Sequence, residues 1–129
     1  MHQDSLNPTD WILKAQNDLK SAEILFQENG PTDSICFHCH QSVEKMLKAF
    51  LLYSQNEYPK VHDLIFLLNL GIKTDKSLEE LKEEISFLNR FHIETRYPLD
   101  LINYSREECR EAVEKSQKIT QFIVNKIVK

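Results

Sequence analysis

The run from Ile35 to Leu51, Ile-Cys-Phe-His-Cys-His-Gln-Ser-Val-Glu-Lys-Met-Leu-Lys-Ala-Phe-Leu, constrains this chain more than any other stretch. Wound at about 3.6 residues per turn, it places Cys36, Cys39, Val43, Met46, Leu47 and Phe50 on one apolar stripe, with His38, Gln41, Lys45 and Lys48 on the opposite side. The spacing predicts a core helix with an ordered polar face. A merely solvated face reads more often as interspersed Glu and Lys, so a His, a Gln and two Lys in line suggest a surface that meets an anion. The plainer alternative is a solvated or dimer-facing surface on which Glu44 and Lys48, at i and i+4, pair with each other.

Other helices frame this one. Asn7-Pro8-Thr9-Asp10 opens the first, with Asn7 as N-cap, Pro8 at the first helical position and Asp10 in the first turn. Ile12, Ala15, Leu19, Ala22 and Phe26 form its stripe, and Asn29-Gly30-Pro31 closes it. Thr32 or Asp33 is expected to cap the central helix, which runs to about Tyr53. His62-Asp63-Leu64 begins a short helix ended by Gly71. Ser77-Leu78-Glu79-Glu80 reads as a capping box opening a longer helix that ends near Thr95, because Pro98 disfavours helical geometry in Tyr97. A second capping box, Ser105-Arg106-Glu107-Glu108, starts a final helix carrying Cys109, Ala112, Val113, Ser116, Ile119, Thr120, Ile123 and Ile127. The fold class expected is all-α, an up-and-down four-helix bundle with one additional short helix.

Composition supports this and narrows the function. With 2 Gly and 4 Pro, the chain has few residues for the tight hairpins of an all-β fold. Its 129 residues make a single domain, 1 to 129, with 1 to 6 as a loose tail. A net charge of −4 disfavours a protein that coats nucleic acid electrostatically, although it permits a local basic patch. No stretch approaches the roughly 18 apolar residues of a membrane span, and Met1 to Asp10 is too polar for a signal peptide. A cytoplasmic protein without membrane partners is expected. The odd set Cys36, Cys39 and Cys109 predicts free buried thiols.

Three blocks, taken together, resemble the HEPN family of small helical domains of prokaryotes and higher eukaryotes. They are Phe37-His38, Gln41, Glu44-Lys45 and Lys48-Ala49 on the central helix, then His62-Asp63-Leu64, then Arg96-Tyr97-Pro98. The similarity covers roughly residues 8 to 125. His40 departs from the family pattern, standing where a glutamine is frequent, and so does Thr95, where alanine is common. The ribonuclease branch of the family carries an arginine followed several residues later by a histidine. Here Arg90 and His92 are separated by a single residue, and no histidine lies beyond position 92. The resemblance implies a bundle that dimerises and binds a nucleotide or RNA, acting with a minimal nucleotidyltransferase in a toxin-antitoxin pair.

Arg96 and Tyr97 are the leading candidates for ligand binding, since a guanidinium clamps phosphate bidentately and a phenol can bond phosphate or stack on a base. The plain alternative pairs Arg96 with an acidic neighbour and plugs the bundle end with Tyr97. His38, Gln41, Lys45 and Lys48 supply further donors. Cys36-x-x-Cys39 beside His40 invites a zinc reading, but both cysteines sit on the apolar stripe, where buried Cys is an ordinary small hydrophobe. Capping accounts for Asp63 beside His62. Arg90 and His92 read as a remnant of a ribonuclease site with the wrong spacing. With no phosphate-cradling glycine loop, no cofactor, no metal and no assigned catalytic residue, the expected function is a HEPN-like nucleotide- or RNA-binding homodimer. A metal-independent ribonuclease using Arg96, His38 and Tyr97, or a purely structural interaction protein, is the alternative.

Overall fold

A computed structural model describes residues 5 to 92 and 103 to 128. Among these residues five α-helices follow in the order α1 (Pro8–Gln27), α2 (Thr32–Gln55), α3 (Leu64–Ile72), α4 (Lys82–Asn89) and α5 (Arg106–Ile127). A 3-10 helix, Lys76–Leu81, leads directly into α4. With this leading turn, α4 forms the fourth leg of the bundle beside α1, α2 and α5, and α3 is the additional short helix. Among the described residues there are no strands, and no helix is long and apolar enough to cross a membrane.

The α1 cap forms as the sequence implies: Asn7 accepts a hydrogen bond from the Thr9 amide at 2.9 Å, and Pro8 opens the helix. Buried Ala15 and Ala22 let α1 lie close along α2, where the Ser42 hydroxyl donates to the Ala15 carbonyl at 2.8 Å. Asn29, at φ 59°, turns the chain out of the helix. Thr32 does not cap α2, because its hydroxyl instead accepts the Tyr104 amide and ties down the lead into α5.

α2 packs against α1, α3, α4 and α5, so it is enclosed on more than its apolar stripe. His40, Ser42, Glu44 and Lys48 are buried along with Cys36, Cys39, Val43, Met46, Leu47 and Phe50. Gly71 lies within α3 at ordinary negative φ, so it does not serve as a left-handed stop. A Cβ there would stand 2.8 Å from Leu78 Cδ2, and the missing side chain permits that approach.

The expected capping box at Ser77 does not form. Asp75 is the N-cap, accepting both the Ser77 amide at 3.0 Å and the Ser77 hydroxyl at 2.6 Å. The first turn then winds as 3-10, which stacks side chains three apart and sends Leu78 and Leu81 together into the core. α4 also ends sooner than expected, at Asn89 rather than near Thr95. The Asn89 side chain is used to cap α3, accepting the Leu64 amide at 2.8 Å and donating to Asp63 at 3.1 Å. Phe91 then turns into the core against Tyr104. The capping box of α5 is present, with Ser105 and Glu108 each accepting the other's amide at 3.0 Å.

Candidate functional site

The side of α2 that carries His40, Glu44 and Lys48 faces the loop before α3 and the end of α4. These residues recur every four positions and therefore stack along the helix. Lys48 donates to Glu44 Oε2 at 2.9 Å, and the two side chains are 6% and 5% exposed. The Lys48 ammonium also lies 5.8 Å from the ring centres of Trp11 and Tyr58, which meet edge to face. Such a setting retains a buried charge by pairing it and facing it with π-density.

His62, immediately before the cap of α3, brings Nδ1 to 3.1 Å from Glu44 Oε1 and 3.0 Å from Oε2. A carboxylate only accepts, so this contact sets the tautomer with the proton on Nδ1 and leaves Nε2 outward. His62 is 47% exposed. His92, just beyond α4, stacks on His62 with ring centres 4.8 Å apart and lies 5.1 Å from the ring of His40. Three imidazoles thus surround one buried carboxylate.

His40 is fully buried, and neither ring nitrogen has a hydrogen-bond partner among the described residues; the nearest charge is Glu44, with Oε1 3.9 Å from Nδ1. Burial pushes its pKa down to about 4, against the opposing pull of Glu44 and with smaller downward contributions from His92 and His62. Its imidazole is accordingly neutral at pH 7. Glu44, His62 and His92 each present a ligand atom, all within 4.8 Å of one another, a grouping capable of holding a metal ion.

The residues singled out from sequence are placed differently from one another. His38 and Lys45 both turn to Asp18 of α1, at 3.3 Å and 2.5 Å, and Gln41 is half-buried between them on the helix. Lys48 pairs with Glu44 as the i, i+4 alternative had it, but inside the fold and not on a solvated face. Arg96 and Tyr97 lie outside the described residues. Arg90 pairs with Glu108 at 3.2 Å and lies over the rings of Phe87 and Phe91, whereas His92 joins the other histidines. These two do not converge on one site.

The cysteines pack in the core. Cys36 Sγ lies 3.8 Å from Cys109 Sγ, and the Cys109 thiol points to the Thr32 carbonyl at 3.7 Å. Burial pushes Cys39 up to about 12 and raises Cys36 and Cys109 as well, so the thiolates that zinc requires are disfavoured. His40 faces the histidine cluster instead of completing a Cys-Cys-His set. Sequence reasoning considered His62 and His92 separately and missed their union with Glu44. The available signal was the spacing of His40, Glu44 and Lys48, which marks a second polar line on a helix already assigned to the core.

The HEPN domain profile matches residues 9 to 127, nearly the whole chain. The chain belongs to the HEPN domain family. Among solved structures, TT1696 from Thermus thermophilus is similar at 27% identity and a TM-score of 0.76, with 92% of this chain and 97% of that one covered. ST0689, described as an archaeal HEPN homologue, superposes with a TM-score of 0.74 at 20% identity, covering 94% and 98%, and speaks to the fold alone. No curated protein matches. Glu44 and Lys48 of the first sequence block and His62 of the second meet in space.

Proposed function

We propose that this HEPN-family chain is a binding module for a phosphate-bearing ligand, a nucleotide or an RNA end, held at the edge formed by His62 and His92. The observation that carries the reading is His62, half exposed yet oriented by a buried carboxylate. Fixing one ring nitrogen on Glu44 aims the other at solvent with little freedom left to lose on binding. Nε2, the ring nitrogen turned outward, accepts from a sugar hydroxyl of such a ligand, and the paired imidazole faces offer a stacking surface for a base. Arg96 follows His92 by four residues in sequence, and its guanidinium supplies the bidentate clamp. His38 and Lys45, engaged with Asp18, take a supporting part at most.

Binding is favoured over ribonuclease action by the separate engagement of Arg90 and His92. Family membership supports a homodimer that works beside a minimal nucleotidyltransferase in a toxin-antitoxin pair. Sedimentation and co-purification with such a partner test these two points.

The experiment for the site is thermal unfolding of the purified chain with a chelator present, against nucleotides and short RNAs. A ligand at about 100 times its Kd stabilises by about 2.7 kcal/mol, which moves Tm by several degrees. The shift is expected in the wild type and lost in His62→Ala and Arg96→Ala. A shift that survives both substitutions, or none with any ligand, refutes the reading.

A further inference from the structure

We propose that Glu44, His62 and His92 form a binding site for one divalent transition-metal ion of the zinc type, with His40 completing or backing it. The inference goes beyond ligand binding at the same edge and does not depend on it. Geometry is the first argument. Zinc bonds to imidazole nitrogen and carboxylate oxygen are about 2.0–2.2 Å, so tetrahedral ligand atoms lie about 3.4 Å apart. His62 Nδ1 already stands 3.0 to 3.1 Å from the Glu44 oxygens; the ion would take the place of the Nδ1 proton as the ring passes to its Nε2–H tautomer, and the His92 ligand atom falls within the same 4.8 Å group. His92 lies three residues past the end of α4.

His40 supplies an independent argument. A neutral imidazole carries one N–H and one lone pair, and buried polar atoms nearly always have partners. His40 is wholly buried with neither nitrogen bonded among the described residues, and its Nδ1 faces Glu44 Oε1 at 3.9 Å. An ion, or a water bound to it, placed between Glu44 and the histidines would give that lone pair its partner.

The donor set also selects the ion. Two or three imidazoles and one carboxylate suit zinc and its transition-metal neighbours, whereas calcium and magnesium need several oxygen ligands. Lys48 holds Glu44 Oε2, which leaves Oε1 for the metal and makes the ammonium an outer-shell donor to a ligating carboxylate. Its positive charge opposes a second cation, so the site fits an ion that gains from strong bonds to neutral imidazole rather than from charge alone.

The test uses the full chain, stripped with chelator, dialysed and titrated with cobalt(II) alone as a spectroscopic stand-in for zinc. Visible ligand-field bands saturating at one ion per chain, and displaced by zinc, are expected. His62→Ala, a half-exposed position whose loss leaves the core intact, and His92→Ala are each expected to weaken cobalt binding at least about tenfold. His38→Ala, whose partner is Asp18, is expected to bind as the wild type does. Absence of the bands at stoichiometric cobalt overturns the proposal, and so does an ion whose affinity and spectrum survive both substitutions. Because no nucleotide is present, this outcome is read separately from the ligand experiment, which is run in chelator.

Discussion

Replacing His40 with glutamine should flatten the acid limb of the stability profile. The folded chain holds this imidazole neutral, with a pKa lowered to about 4 by burial, against an ordinary value near 6.5. Between about pH 6.5 and pH 4 the unfolded chain therefore binds a proton that the folded chain refuses. Stability is at its full value above that window and falls as the pH drops through it. The whole shift corresponds to about 3 kcal/mol at 1.36 kcal/mol per pKa unit, and by pH 5 about 2 kcal/mol of it is already lost. Urea unfolding of wild type and His40→Gln at pH 7.5 and pH 5, both in chelator so that no metal contributes, gives the comparison. The buried amide of the variant has its own cost, so the readout is the change between the two pH values. The wild type is expected to lose about 2 kcal/mol more than the variant over that step. Parallel losses would show that the buried neutral imidazole does not govern the profile.

Three further outcomes follow from the packing. Glu44→Ala leaves the Lys48 ammonium buried without its carboxylate and should cost about 3–5 kcal/mol in urea unfolding at pH 7.5, a loss under 1 kcal/mol arguing against a truly enclosed pair. Ser105→Ala removes one half of the α5 capping box and should cost about 1 kcal/mol, with little change in the cooperativity of unfolding. Cys36, Cys39 and Cys109 are buried and held as thiols, so a colorimetric thiol reagent should label them at the rate of unfolding; rapid labelling of native protein would contradict that burial.

Several elements were written locally in the chain. Asn7-Pro8 and the Ser105–Glu108 box mark helix starts because capping needs only side chains within three residues of the amides they satisfy. The stripes of α1, α2 and α5 are legible for the same reason, since 3.6-residue periodicity is a property of one helix. Where two local solutions competed, sequence spacing did not decide. Asp75 displaced Ser77 as cap because its carboxylate takes both the amide and the hydroxyl of Ser77, and Asn89, at the end of α4, caps α3 across 25 residues of sequence.

The sequence by itself determined an all-helical bundle of the HEPN family and the positions of its blocks. The tertiary structure alone decided what those blocks do to each other. The line of His38, Gln41, Lys45 and Lys48 read as one polar surface that meets an anion, but α1 itself supplies the carboxylate, Asp18, that takes His38 and Lys45, while enclosure of α2 draws Lys48 inward to Glu44. His62 and His92, 30 residues apart, become stacked neighbours only when α3 and α4 fold back on α2. Periodicity reports which side of a helix is polar. Whether that polarity meets water, a partner charge or a cluster of imidazoles depends on which other helices pack there.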